Sequence, residues 1–214
     1  ILAEARGMDA VELRHKNALQ VGSITATGQQ MRESVGLKEC IERVQQDMRS
    51  DATGGDFRWT WQEGHHKLAW GLAIGYKNTG LGGGAPDKSS ARVELWLDHN
   101  EQVCAQVRTT SAELGQGLPA VLSACAAEEL GLARDQVDVL LGDTDHCPDG
   151  GPTTASRQTF VSGNAARYAA KAMAERLKPV AAGLLQCESV DVTFAAGQAS
   201  AGSKSINLAK VVKL

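Results

Sequence analysis

The segment GDTDHCPDGGPTTASRQTFVSGNA, from Gly142 to Ala165, sets the architecture predicted for this chain. It follows an apolar run over residues 137–141 that is typical of a buried strand. Two prolines and a Gly-Gly pair then predict a loop. The small hydroxyl residues after this loop are good helix caps, so a helix is expected from about residue 154 to 185, with a break near Pro179. Free backbone N–H groups at a helix N-terminus attract anions, and the segment therefore predicts an anion site.

A second junction of the same kind lies upstream, at Gly115, Gln116 and Gly117, before a helix predicted over residues 118–130. The pattern GQGLPA also fits a dinucleotide-binding loop. The strand before it, however, returns from a hairpin and carries polar residues on one face, which disfavours that fold. Taken alone, the motif also fits a tight turn without any ligand. Together with the segment 142–165, it predicts two junctions that converge on one phosphorylated ligand.

Two side chains at the start of the later helix have two interpretations. Arg157 and Gln158 are either solvated residues of the first turn or contacts of the ligand. In the second case Arg157 is the charge partner of a phosphate, and Gln158 donates a hydrogen bond to a polar ring. The sequence leaves both interpretations open.

The rest of the pattern predicts an α+β fold. Residues 92–97 and 103–109 alternate apolar and polar side chains on either side of a polar turn, which indicates an antiparallel hairpin with one covered face. We expect this hairpin and a mixed sheet to be packed with helices and preceded by a short helical segment. The domain organisation predicted is a helical segment over 1–50 and a second domain over 51–214, with a linker at residues 50–55.

Composition excludes several classes of protein. A net charge of −3 without a basic stripe argues against nucleic-acid binding. No apolar run approaches the roughly 20 residues of a membrane span. The five cysteines are widely spaced and odd in number, which argues against a disulfide framework and favours a reducing, cytoplasmic location. No residues have the spacing of a metal site or the order of a catalytic triad, so neither metal ligands nor catalytic residues are predicted.

Four stretches of the chain carry a resemblance to a known family. The two junctions, as Glu113–Gly117 and Gly142–Ala165, resemble the molybdenum-cofactor-binding subunit of the xanthine dehydrogenase/aldehyde oxidase family. The stretches Arg6–Arg14 and Lys77–Gly82 are similar to bacterial members of that family. The resemblance extends to about residue 185 and implies the molybdopterin-binding type of α+β domain.

The resemblance implies a molybdopterin cofactor with molybdenum, in some members as the cytosine dinucleotide. Protein ligands to the metal are not expected, and iron–sulfur and FAD sites belong to other domains or subunits. The implied partners are those domains or subunits, a small-molecule substrate and further copies in an oligomer. By motif position, the residues expected to hold the cofactor are Gly115, Gln116, Gly117, Thr154, Ala155, Ser156, Arg157 and Gln158.

The resemblance also implies that this chain is an internal fragment. The family's general-base glutamate has no counterpart before Leu214. The parent protein is expected to hydroxylate nitrogen heterocycles or oxidise aldehydes with oxygen from water, whereas the isolated fragment is expected to be inactive. A non-catalytic nucleotide- or anion-binding module that uses the same two junctions is the rival hypothesis.

Overall fold

The computed structural model of the chain describes residues 1–52, 59–82 and 84–214. The chain divides into two compact units, Ile1–Tyr76 and Lys77–Leu214. Of the linker predicted over residues 50–55, residues 50–52 form the end of a helix, and residues 53–55 lie outside the described residues. The predicted division between residues 50 and 51 stays a prediction.

The first unit is built from short helices and one hairpin. Its elements are α1 (Leu2–Ala5), α2 (Ala10–Asn17), α3 (Leu37–Ala52), β1 (Thr60–Glu63) and β2 (His66–Ala69). Helix α2 begins directly after Asp9, because the Asp9 carboxylate accepts hydrogen bonds from the N–H groups of Val11 and Glu12. A small core centred on Val11 and Ile41 holds the unit together.

The second unit combines two small sheets with two long helices. Its elements are β3 (Arg92–Leu97), β4 (Val103–Thr109), α4 (Leu118–Leu130), β5 (Val137–Leu141), α5 (Gly163–Leu185), β6 (Thr193–Ala195), β7 (Gln198–Ala201), β8 (Lys204–Asn207) and α6 (Leu208–Val212). Strands β3, β4 and β5 form a mixed sheet in that order, and β6, β7 and β8 form an antiparallel one. The predicted α+β class, with its hairpin and mixed sheet, is confirmed.

One core fills the second unit. Alternate residues of β4 point into it, among them the fully buried Ala105 and Val107. Helix α4 contributes Leu118, Leu122 and Leu130, which recur at helical spacing on one face. Helix α5 faces the core with small side chains such as Ala166 and Ala170, so the two helices can approach closely.

Helix α5 differs from its prediction in two places, at Pro179 and at its start. It runs without a break through Pro179, so the predicted break is wrong. Proline removes one backbone hydrogen bond, and the buried Ala174 and Ala181 on either side keep the helix packed in the core. At its start, residues Gln158–Ser162 form a π-helical turn that leads into the α-helix at Gly163.

The strand order explains which loops meet. Strands β4 and β5 are parallel, with Thr109 opposite Leu141, so the loops that follow them leave from the same edge of the sheet. Strand β3 is antiparallel to β4, with Arg92 opposite Arg108, so the segment that enters β3 reaches that edge too. The sheet therefore brings residues 77–82, 84–91, 110–117 and 142–157 to one edge.

Candidate functional site

The three segments at this edge enclose a cleft of about 410 Å³. We call it the loop cleft. It is lined by Lys77, Leu114, Gln116, Thr153, Thr154, Ala155, Ser156, Gln158 and Thr159. The two junctions that the sequence singles out thus contribute to one cleft, and a hydrogen bond of 2.8 Å from the Ala112 N–H to Thr153 Oγ1 joins them directly.

Five of the eight predicted site residues line the loop cleft: Gln116, Thr154, Ala155, Ser156 and Gln158. The other three, Gly115, Gly117 and Arg157, do not. The difference is meaningful, because each of the three is engaged elsewhere by a charged group of the chain itself.

The first junction holds an internal anion. The Glu113 carboxylate accepts hydrogen bonds from the N–H groups of Gly115, Gly117 and Leu118, at 2.6, 3.1 and 2.6 Å. These bonds, that from Gly117 above all, hold the pKa of Glu113 below its ordinary value. The expectation of free N–H groups at this helix N-terminus is therefore wrong for the first junction, since a side chain of the same loop already satisfies them.

The side chain of Gln116 folds back on its own loop. Its Nε2 donates to the Ala112 carbonyl at 2.9 Å, and its Oε1 accepts from the Leu114 N–H at 2.5 Å. The amide therefore braces the turn while one face of the side chain lines the loop cleft. The remaining N–H of this amide has no partner among the residues that the structure describes, and it is a donor for a ligand.

Arg157 is buried, with its side chain fully shielded from solvent. Its guanidinium pairs with the Asp87 carboxylate and donates to the carbonyl oxygens of Lys88, Gly150 and Pro152. Neither interpretation from the sequence is therefore correct for this side chain: it is not solvated, and it is not aimed at a phosphate in the loop cleft. It ties residues 87–88 to the loop of residues 150–152.

A chain of buried polar side chains lies beneath the loop cleft. Ser162 donates to Oε1 of Gln158, and Nε2 of Gln158 donates to Thr153 Oγ1 at 3.1 Å and to the Pro152 carbonyl at 3.2 Å. Ser162 also lies 3.0 Å from the hydroxyl of Ser89. These contacts fix the orientation of the Gln158 amide, because its oxygen and nitrogen have different partners.

The wall at Ala155 and Ser156 has an unusual backbone. Both residues have positive φ, 52° and 54°, which residues with a Cβ atom rarely adopt. The Ala155 carbonyl is held by the Gly80 N–H at 2.8 Å. The N–H groups of Ala155 and Ser156 form no hydrogen bond within the described part of the chain, and both residues line the loop cleft. Strained backbone of this kind is typical of binding sites.

Four lining residues were missed by the sequence reasoning: Lys77, Leu114, Thr153 and Thr159. The last three are neighbours of predicted residues. Lys77 is different, since it comes from the segment that enters β3. The antiparallel hairpin predicted from the alternation contained the necessary signal, because it puts the start of β3 beside the end of β4.

Within the described ranges, no three His, Cys, Asp or Glu side chains are grouped so that they could hold a metal ion. No helix in those ranges is long and apolar enough to cross a membrane.

A protein family and several known proteins are similar to this chain. The molybdopterin cofactor-binding domain family matches residues 43–214. An aldehyde oxidoreductase of Megalodesulfovibrio gigas is 33% identical over 172 residues, which are 79% of this chain and 18% of that protein. A xanthine dehydrogenase molybdenum-binding subunit, XdhA, assigned as putative in Escherichia coli K12, is 28% identical over 91% of this chain and 25% of its own length.

Solved structures agree in fold. Quinoline 2-oxidoreductase from Pseudomonas putida 86 superposes with a TM-score of 0.55 at 23% identity, over 98% of this chain and 28% of that one. The aldehyde oxidoreductase of Desulfovibrio gigas gives a TM-score of 0.52 at 28% identity, over 81% and 18%. The chain thus spans about a fifth to a quarter of these proteins. Since the family match covers most of its residues, the chain belongs to the molybdopterin cofactor-binding domain family.

Proposed function

We propose that this chain supplies one part of the molybdopterin cradle of a molybdenum hydroxylase, and that the loop cleft is that part. The observation that carries the proposal is the convergence of two motif-bearing loops, at Gln116 and at Thr154–Gln158, on one polar cleft. The cleft has the size of a small-molecule site. Its hydroxyl, amide and backbone N–H groups suit a ring system that is rich in donors and acceptors.

The residues divide into those that face the cofactor and those that position them. The residues that face the cofactor are Gln116, Thr154, Ala155, Ser156 and Gln158. Ala155 and Ser156 contribute their free backbone N–H groups. The remaining predicted residues, Gly115, Gly117 and Arg157, act by holding the shape of the loops. When bound, the molybdenum cofactor supplies the two-electron oxidation of a substrate with oxygen from water.

The activity belongs to the full-length protein, because the chain spans about a fifth to a quarter of its relatives. We propose oxidation of an aldehyde or hydroxylation of a nitrogen heterocycle, since relatives are named for aldehydes, xanthine and nicotinate. Iron–sulfur and flavin groups on other domains or subunits accept the electrons, and the enzyme is a cytoplasmic oligomer. The general-base glutamate lies outside residues 1–214. The name of one relative, a dehydrogenase complex subunit, supports a multi-subunit arrangement.

The proposal is tested by the molybdenum and pterin content of the matured full-length protein. About one of each per chain, with dye-coupled oxidation of an aldehyde or heterocycle, is the expected result. Their absence from matured protein would leave the non-catalytic anion-binding module as the better hypothesis. Residues 1–214 alone should carry little cofactor and show no turnover, since binding shared among several loops falls steeply when some are missing.

The placement of Gln116 has its own measurement. In the full-length enzyme, Gln116→Ala should lower the fraction of chains that carry molybdenum, while turnover per molybdenum and substrate preference stay unchanged. The reason is that its amide lines the loop cleft and braces the turn around it. A variant with normal occupancy and altered substrate selectivity would show that this residue lies at the substrate and not at the cofactor.

A further inference from the structure

Lys77 is the charged residue of the loop cleft. The other lining side chains are hydroxyls, amides, an alanine and a leucine, all of them neutral. One of the two sequence interpretations makes Arg157 the cation of the site, but that guanidinium is bound to Asp87 and to three carbonyl oxygens. A ligand with a negative group therefore finds a single lining cation, on the segment that precedes β3.

The Lys77 ammonium is available to a ligand. The residue is exposed, and its hydrogen bonds go to two neutral oxygens of Asn78, the side-chain Oδ1 at 2.7 Å and the carbonyl at 3.2 Å. Within residues 1–52, 59–82 and 84–214, no carboxylate forms an ion pair with it. Its charge is thus uncompensated, whereas that of Arg157 is neutralised.

Neighbouring contacts hold Lys77 in place at the cleft. Asn78 Nδ2 donates to the Gly80 carbonyl at 2.7 Å, and the Gly80 N–H donates to the Ala155 carbonyl at 2.8 Å. The Asp87 carboxylate accepts from the Leu81 N–H at 3.3 Å while it pairs with Arg157. The segment of Lys77 is therefore fastened to the same wall that carries the free N–H groups of Ala155 and Ser156.

We propose that Lys77 binds the anionic group of the ligand of the loop cleft, a phosphate ester, together with the N–H groups of Ala155 and Ser156. An ammonium beside two free backbone donors is a suitable set for phosphate oxygens. This inference rests on the proposed function for the identity of the ester, which would be the phosphate of the pterin cofactor. The binding of an anion as such does not depend on that identity.

The test uses the full-length protein with Lys77→Gln, Lys77→Arg and, as a matched control, Lys171→Gln. Lys171 is an exposed lysine of α5 that does not line the loop cleft. Pterin and molybdenum per chain are measured after dialysis against increasing NaCl. Loss of a charge-assisted hydrogen bond predicts about 10- to 100-fold weaker retention for Lys77→Gln, with a flatter dependence on salt. Lys77→Arg keeps the charge and should restore most of the retention, and the control should behave as wild type.

A second measurement separates this inference from the proposed function. Inorganic pyrophosphate is titrated into wild type stripped of cofactor and into Lys77→Gln. Binding that is lost in the glutamine variant supports Lys77 as the anion residue even if the wild-type protein holds no pterin, in which case only the proposed function fails. The inference is overturned if Lys77→Gln retains cofactor and pyrophosphate as wild type does. It is also overturned if Lys77→Arg loses as much as Lys77→Gln, since the role of the residue would then be structural.

Discussion

Arg157 offers the sharpest test of how the site is built. Replacement by methionine keeps an unbranched apolar stem but removes the ion pair with Asp87 and three hydrogen bonds to carbonyl oxygens. Removing one partner of a buried pair costs about 3–5 kcal/mol. The Asp87 side chain is 24% exposed, so water can solvate its carboxylate and offset part of that cost. We therefore expect the free energy of unfolding of the second unit to fall by about 3 kcal/mol.

The assay is urea unfolding of the purified chain, followed by circular dichroism. With a slope of about 2 kcal/mol per M, a loss of about 3 kcal/mol lowers the unfolding midpoint by about 1.5 M. Arg176→Met, an exposed arginine of α5, is the matched control and should change the midpoint little. A double-mutant cycle with Asp87→Asn isolates the ion pair. Removing one partner of a buried pair costs about 3–5 kcal/mol. If Arg157→Met lowers the free energy of unfolding by less than about 1 kcal/mol, Arg157 does not hold residues 87–88 to the loop of residues 150–152.

Three further predictions concern the loops and the surface. Because the pKa of Glu113 is lowered in the fold, its carboxylate stabilises the chain above its ordinary pKa of about 4.3, and this stabilisation is lost as the pH falls through the lowered value. The difference in unfolding free energy between wild type and Glu113→Gln should therefore vanish in acid, and a difference that persists unchanged there would contradict this. At Gly150 an added Cβ would lie 2.4 Å from Thr109 Oγ1 and 2.5 Å from Ser111 Oγ, so Gly150→Ala should destabilise the chain by about 1–3 kcal/mol in urea unfolding. Its control is Gly183→Ala, in open space on α5, which should be neutral or stabilising in the same experiment. Phe160 and Tyr168 are 76% and 64% exposed and lie about two helical turns apart, so the chain should self-associate through them. The double variant Phe160→Ser, Tyr168→Ser should weaken this association in sedimentation velocity, and a monodisperse wild-type monomer at all concentrations would count against it.

The elements of the second unit were predictable because their patterns are strong. Strand β4 alternates over seven residues, and α4 repeats leucines on one face, so local periodicity alone identifies both. The passage of α5 through Pro179 was not predictable in the same way. Its stability depends on packing against elements that are distant in sequence, and propensity does not report that packing.

The site was predictable in its position and less so in its details. Two glycine-rich junctions after parallel strands must meet at one edge, and this places Gln116 near Thr154. The directions of individual side chains were not predictable from the motifs. Arg157 and Glu113 both look like residues that face a ligand, yet each has an internal partner, Asp87 for the first and three backbone N–H groups for the second. Such partners are set by loop conformation, which motif spacing does not encode.

Because residues Gln158–Ser162 form a π-helical turn, the shape of this wall of the cleft depends on the number of residues in the turn. Such a turn contains one residue more than an α-helical turn would need. Deleting Thr159 would remove that extra residue and allow the segment to close as an ordinary α-helix, with a narrower turn before α5. The loop cleft would lose Thr159 from its lining, and the backbone that positions Gln158 would change with it. We therefore expect a change of length here to disturb the cleft more than the exchange of one lining side chain, because a deletion alters the backbone of the turn as well as its side chains.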